Sequence, residues 1–282
     1  MVTRLAVTTN LDACDIAALR FGVAGLLLSP VLVRRGFARD RIGWLGLGVL
    51  MAGNGAPYAL VAATGLHFAP AYDGGALNPG CMPLFVALIA GMVLGEKLST
   101  TRILGLLLIL IGALIIVGWR AEAGNGVWSA WRTFGDVLFL IAAFLTACFT
   151  VVMRQGKLDP LHVAALVSTG SLAIYLPIYL ALYGSRLTRI PLTDLAVQAL
   201  FQGVAVTIIA LVLYGRAVVI LGASGGAAFG ALVPALSALL AVPLLGEWPS
   251  DTDWFALSVP SAGVYRASGA PLPGVLRNDA PR

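Results

Sequence analysis

The sequence predicts an all-α integral membrane protein built from two inverted repeats of transmembrane helices. Three observations carry that reading. The 282-residue chain is 59% hydrophobic and 11% charged, whereas a soluble domain has roughly a quarter of its residues charged. Its charges gather in short clusters, leaving apolar stretches of about 17 to 25 residues, the length that crosses a bilayer as a helix. Gly75-Ala76, Pro83, Ala87-Leu88, Ala90 and Leu94-Gly95-Glu96 also recur 151 residues later as Gly226-Ala227, Pro234, Ala238-Leu239, Ala241 and Leu245-Gly246-Glu247.

Nine of the 22 positions in that block match without a gap. In a membrane chain such a repeat points to two halves with a solute path where they meet. Eight spans are read, at 16–33, 43–65, 74–95, 103–119, 136–153, 162–184, 195–215 and 222–246. The first holds Arg20 and stops at Arg34-Arg35. The second follows Arg39 and Arg41 and contains a helix-weakening run, Gly53-Asn54-Gly55-Ala56-Pro57. Asn78-Pro79-Gly80 weakens the third in the same way, and Gly95-Glu96 ends it before Ser99 or Thr100 caps the fourth. The link from Arg120 to Phe134 holds Gly124-Asn125-Gly126, Trp128 and Trp131, which is turn and membrane-interface chemistry at the boundary between halves. The fifth span ends Val152-Met153-Arg154, and its only counterpart is Val2-Thr3-Arg4, the tail of a helix absent from this chain.

The sixth span pairs with the first. Asp12, Ala17-Ala18-Leu19 and Pro30 align with Asp159, Ala164-Ala165-Leu166 and Pro177 at an offset of 147. One span runs inward and its counterpart outward, so the halves are inverted. The eighth span carries Gly222, Gly226 and Gly230 on one face, a close-packing stripe. Beyond it Gly263 and Gly269 match Gly112 and Gly118, yet Ser258, Pro260 and Arg266 interrupt a ninth span over 254–270, against insertion. The units are therefore 1–119, a linking loop 120–134, 135–270 and a polar tail 271–282.

Lys and Arg in alternate loops set the orientation. Arg34, Arg35, Arg39, Arg41, Lys97, Arg102, Arg154, Lys157 and Arg216 make nine on one side, against five at Arg4, Arg120, Arg132, Arg186 and Arg189. The first set is expected in the cytoplasm. The net charge of +5 thus reflects topology, not a nucleic-acid surface. Cys14, Cys81 and Cys148 show no paired spacing, and His67 and His162 no partner acid, so neither metal nor disulfide is indicated. No GxSxG, HExxH or Walker A sequence occurs, which argues against hydrolase and ATP-driven chemistry.

Several residues could carry function. Arg20 is read as the only charge inside a span; it either faces a cavity or snorkels to the outer interface about one turn away. Asn54, Tyr58 and Asn78, with Gln202, Thr207 and Tyr214, are the polar groups nearest midspan on counterpart helices. Buried amides need partners, and as a set these six favour a solvated cavity over interhelical hydrogen bonding. Pro83, Gly95 and Glu96, with Pro234, Gly246 and Glu247, read as matching hairpin corners of two gates. A coupling role for the two glutamates is the weaker reading, because carboxylates at helix ends stay solvated and ionised.

Ala18-Leu19-Arg20-Phe21, Pro83, Leu94-Gly95-Glu96-Lys97-Leu98-Ser99, Gly105 and Gly112, then Pro234, Leu245-Gly246-Glu247 and Gly263, resemble the EamA branch of the drug/metabolite transporter superfamily. The resemblance implies two inverted five-helix repeats, ten helices in a complete member. It implies an inner-membrane, multi-pass permease that moves small metabolites, amino acids or drugs by alternating access, without a cofactor. The chain departs from it in lacking the first helix and in its atypical last one. The expected partners are the lipid bilayer and a small-molecule solute, with no nucleic acid and a homodimer left open. A non-transporting remnant and, less favoured, an intramembrane enzyme are the alternatives.

Overall fold

A computed structural model describes residues 11–95, 99–116, 130–184, 191–213, 216, 232–246, 248 and 250–267. These residues form a bundle of helices: α1 Ala13–Arg35, α2 Arg39–Asn54, α3 Ala56–Phe68, α4 Ala71–Leu94, α5 Thr100–Leu114, α6 Ala130–Gln155, α7 Pro160–Tyr183, α8 Leu192–Leu213, α9 Leu232–Leu245 and α10 Asp251–Ala267. Six are long and apolar enough to cross a membrane: α1, α2 and α3 taken together, α4, α6, α7 and α8. The protein is a multi-pass membrane protein. Its outward surface is rich in exposed Leu, Ile and Val, as lipid contact requires.

Local chemistry sets the helix ends. The Asp12 N–H donates to Asp15 Oδ2 at 2.9 Å and opens α1 with a capping box. Ser99 Oγ accepts from the Arg102 N–H at 3.3 Å and caps α5. Gly95 and Gly246 close α4 and α9 at φ of 65° and 66°, a left-handed region open to glycine.

Two pairs of helices matched by the repeat, α1 with α7 and α5 with α10, pack against each other, antiparallel. On α1 and α7, a Cβ added to Gly25 would lie 2.6 Å from Leu172 Cβ, and these two positions are 147 apart. Cys14 lies beside Tyr183 at one end of this pair, and Arg35 bonds Asp159 at the other. On α5 and α10, Gly105 meets Ala267, Ile109 meets Gly263 and Gly112 meets Pro260, again in opposite directions. Ile109, Gly112, Pro260 and Gly263 are the largely buried centre of this contact.

Four expectations change. The 43–65 span is two helices, broken at Gly55. A Cβ there would overlap the Met51 carbonyl, and the freed Ala56 N–H donates to Ser171 Oγ at 3.1 Å. That amide faces a neighbouring helix rather than a solute. By contrast α4 runs unbroken through Pro79 and Pro83. The interrupted ninth span is a continuous helix through Pro260, with Arg266 in its last turn. Lastly, α8 is α-helical over Leu192–Gln198 and π-helical over Ala199–Ala210, which neither periodicity nor composition signalled.

Arg20 is not the only charge within the helices. They start earlier than the apolar pattern does, and so take in Asp15, Asp73 and Arg132, while Asp136 already stands at the first position of the 136–153 span. The loops expected on one side do meet. Arg35, Arg41, Lys157 and Asp159 interact at one end, and Tyr72, Arg132 and Asp253 at the other. The first is termed the inner end and the second the outer end, after the charge count.

Candidate functional site

A cavity of about 380 Å3 lies in the outer half of the bundle. Both halves of the sequence line it: Ile16, Arg20, Tyr58, Ala62, Leu66 and Asn78 from the first, and Phe139, Gln202, Val206, Leu236, Ser237 and Leu240 from the second. Its volume falls within the roughly 300 to 1,000 Å3 usual for small-molecule sites. Most of the wall is apolar, with a few polar groups at fixed points.

Each polar group is placed by its helix. Because α1 starts at Ala13, Arg20 lies seven residues in, about 10 Å deep, twice the depth the apolar pattern suggested. Its Nε is buried and has no hydrogen-bond partner among the described residues. Its guanidinium carbon stands 5.4 Å from the centre of the Phe21 ring. Seven residues into α4, Asn78 Nδ2 donates to Tyr58 Oη at 3.0 Å, so α3 and α4 present one coupled polar pair. Gln202, buried within the π-helical stretch, donates from Nε2 towards Gln198 Oε1 at 3.5 Å. The wider π turn leaves the Gln202 carbonyl to accept from Thr207 Oγ1 at 2.7 Å.

Arg20, Tyr58, Asn78 and Gln202 are therefore gathered in one cavity. Asn54 ends α2 away from that wall, and Thr207 is buried in a bond to its own helix. Tyr214, Glu96 and Glu247 lie outside the described residues, as do Gly222, Gly226 and Gly230 and the Pro234 side chain. Pro83 sits inside α4, and Gly95 and Gly246 end α4 and α9.

The sequence reading missed Ser237 and Phe139. Ser237 was one hydroxyl in an apolar run; here it faces Gly75, where a Cβ would lie 2.5 Å from Ser237 Cβ. Phe139 packs on Gly65 and Gly74, and only those glycines admit its ring.

A second cluster closes the outer end beside the cavity. Asp73, fully buried, accepts from Arg132 Nη2 at 2.7 Å and Nε at 3.0 Å. The same Nη2 stands 3.9 Å from Asp253 Oδ1, and Tyr72 Oη donates to Asp253 Oδ2 at 3.3 Å. α4, α6 and α10 are thus tied at their first turns. The signal available was opposite charge in loops of the same side, Asp73 against Arg132, hidden by placing both just beyond the apolar runs.

The inner end is tied separately. Arg35 pairs with Asp159, and His162 Nε2 bonds the Gly36 carbonyl at 2.8 Å. Asp159 lies before α7. Its slight burial opposes ionisation, but the Arg35 hydrogen bond and charge and the His162 N–H hold its carboxyl below the ordinary carboxylate range.

Comparison with known proteins gives one family. Residues 1–118 and 133–268 match the EamA-like transporter family. An uncharacterised protein of Pseudomonas aeruginosa is 31% identical over 246 residues, covering 85% of this chain and 78% of that one. A riboflavin transporter of Brucella anthropi is 30% identical over 175 residues, 62% of this chain and 58% of its own. An uncharacterised transporter of Archaeoglobus fulgidus is 28% identical over 260 residues, 91% of this chain and 88% of its own. A solved crystal structure aligns over 94% of this chain and 90% of its own at TM-score 0.61 and 21% identity, a likeness of fold alone.

Proposed function

Since this chain belongs to the EamA-like transporter family, we propose that it is a secondary-active carrier of a small organic solute, working by alternating access in the cell inner (plasma) membrane. The observation that carries this reading is a cavity among the helices lined by both halves of the chain, with Arg20, Tyr58 and Asn78 facing Gln202 and Ser237. A carrier needs one site that two related halves can expose in turn.

Inversion of the halves is supported by paired contacts. Shifting Gly112 and Pro260 by 151 positions, forward and back, gives Gly263 and Ile109, and both pairs touch. Two antiparallel helices that exchange places under the repeat offset are what an inverted duplication produces. The two tied ends supply the gates: Asp73, Arg132, Asp253 and Tyr72 outside, Arg35, Asp159 and His162 inside. In this reading solute passage requires each tie to open while the other holds. The firm seating of α10 on α5 favours a working carrier over a broken remnant. The outer carboxylates are engaged with Arg132 and Tyr72 at the bundle's end, which favours a structural tie over an intramembrane catalytic dyad.

The test is uptake into proteoliposomes of the full chain, over a broad labelled panel of metabolites, amino acids and drugs, with riboflavin included because one relative bears that name. Saturable flux is expected, with Arg20→Ala and Asn78→Ala lowering it while insertion is unchanged. Wild-type flux in both variants overturns the site assignment, and no flux across the panel overturns the carrier reading.

A further inference from the structure

Resting on that reading of the cavity as the solute site, we infer that the solute is a small organic anion, an apolar body bearing one carboxylate. Arg20 is a permanent cation with five N–H donors, its Nε is buried, and no described residue accepts a hydrogen bond from that atom. Tyr58 Oη already accepts from Asn78 Nδ2 at 3.0 Å, which leaves the phenolic proton to donate elsewhere. Ser237 adds a hydroxyl on the opposite wall.

No acidic side chain among the described residues lines the cavity. Asp136, one turn before Phe139 on α6, is buried but does not line the cavity, and Asp15 and Asp73 are committed to other groups. Asp15 Oδ1 accepts from Tyr179 Oη at 2.5 Å and Asp15 Oδ2 from the Asp12 N–H, while Asp73 accepts the Arg132 fork. The site therefore holds a partly buried positive charge, its Nε fully enclosed, whose counter-charge is not among the described lining residues. A buried cation is costly unless paired, and a bound anion supplies the pair at the moment of occupancy.

Among anions, the planar guanidinium fork fits a carboxylate best. A doubly charged phosphate would leave its second charge facing Ile16, Ala62, Leu66 and Val206 in a wall with no second described cation. Those same residues, with Phe139, Leu236 and Leu240, receive an apolar body of aromatic-ring size. An amine would place like charge beside Arg20, and a neutral amide would leave that charge unmatched.

The experiment uses proteoliposomes of the full chain with three labelled probes of one shape: phenylacetate, phenylacetamide and phenethylamine. Phenylacetate is expected to enter faster than either of the others by about 10- to 100-fold, the range for a charge-assisted hydrogen bond. Arg20→Gln should erase that preference, and Arg20→Lys, which keeps charge but loses the fork, should retain part of it. Tyr58→Phe removes only the hydroxyl; it should lower phenylacetate uptake several-fold and serves as the check if Arg20→Gln inserts poorly. Preference for the amide or amine, or an undiminished carboxylate preference in both Arg20→Gln and Tyr58→Phe, overturns the anion inference and leaves the carrier reading standing. Absence of flux for all three also overturns it, and the broad panel then decides whether the chain carries anything.

Discussion

Pro260 packs directly against Gly112, where a side chain would overlap its ring. The proline that breaks the apolar pattern of the last span is thus the surface on which α5 and α10 meet. Its missing N–H costs α10 one hydrogen bond, and the close approach recovers contact area that only glycine on the facing helix allows.

Gly112→Val should therefore separate the two helices. Overpacking a close contact costs about 1 to 3 kcal/mol. Gly263→Val should match it, because Gly263 packs just as tightly on Ile109. Gly22→Ala, with nothing within 4 Å of an added Cβ, is the control and should be neutral. Thermal unfolding in detergent measures all three, and equal midpoints for Gly112→Val and Gly22→Ala would refute the tight seating.

Ser171→Ala tests the break at Gly55. Ser171 is buried and its hydroxyl is the acceptor for the Ala56 N–H. Removing it strands a buried donor, at about 1 to 3 kcal/mol. Ser171→Thr retains the hydroxyl and should recover most of the loss. If Ser171→Ala unfolds like the parent, water satisfies Ala56 and the break does not depend on α7.

What the sequence displayed, and what it concealed, follows from where the signal resides. Hydropathy located the apolar helices because bilayer thickness fixes their length, and the 147 and 151 offsets paired the helices that pack together. Hydropathy also hid the first turns: Asp15, Asp73 and Arg132 are charged, so apolar counting placed them in loops, though helical hydrogen bonding carries on through them. Asn54 and Asn78 look equivalent as midspan amides. Only the break at Gly55 turns one from the cavity wall while the unbroken α4 keeps the other on it. The π-helical register of α8, which buries Gln202 and Thr207, has no local sequence signal, and the stretch packs on α1, where Gly203 meets Val23.

The outer tie should show energetic coupling. Arg132→Gln removes the cationic fork from the fully buried Asp73 carboxylate. Breaking a buried pair costs about 3 to 5 kcal/mol, and a value nearer about 2 kcal/mol is expected because Arg132 is 33% exposed. Asp73→Asn should be milder, since the arginine can turn to Asp253 and water. The double variant should fall well short of the sum of the two. Strict additivity by urea or thermal unfolding would show that the pair carries no coupling.

The inner tie predicts a pH window. Asp159 has its carboxyl held below the ordinary range by Arg35 and by the His162 N–H. A depressed folded-state value means that the contribution is complete above the unfolded value, about 4, and fades as pH falls through the folded one. Both side chains are about half exposed, at 45% and 54%, so the contribution should stay below about 1 kcal/mol and shrink in high salt. Asp159→Asn isolates the charge, because asparagine still caps α7 through the His162 N–H. The wild type should unfold at a slightly higher temperature than Asp159→Asn at pH 7, and the gap should begin to narrow below about pH 4. A gap that does not narrow on acidification would assign the difference to cap geometry rather than to the ion pair.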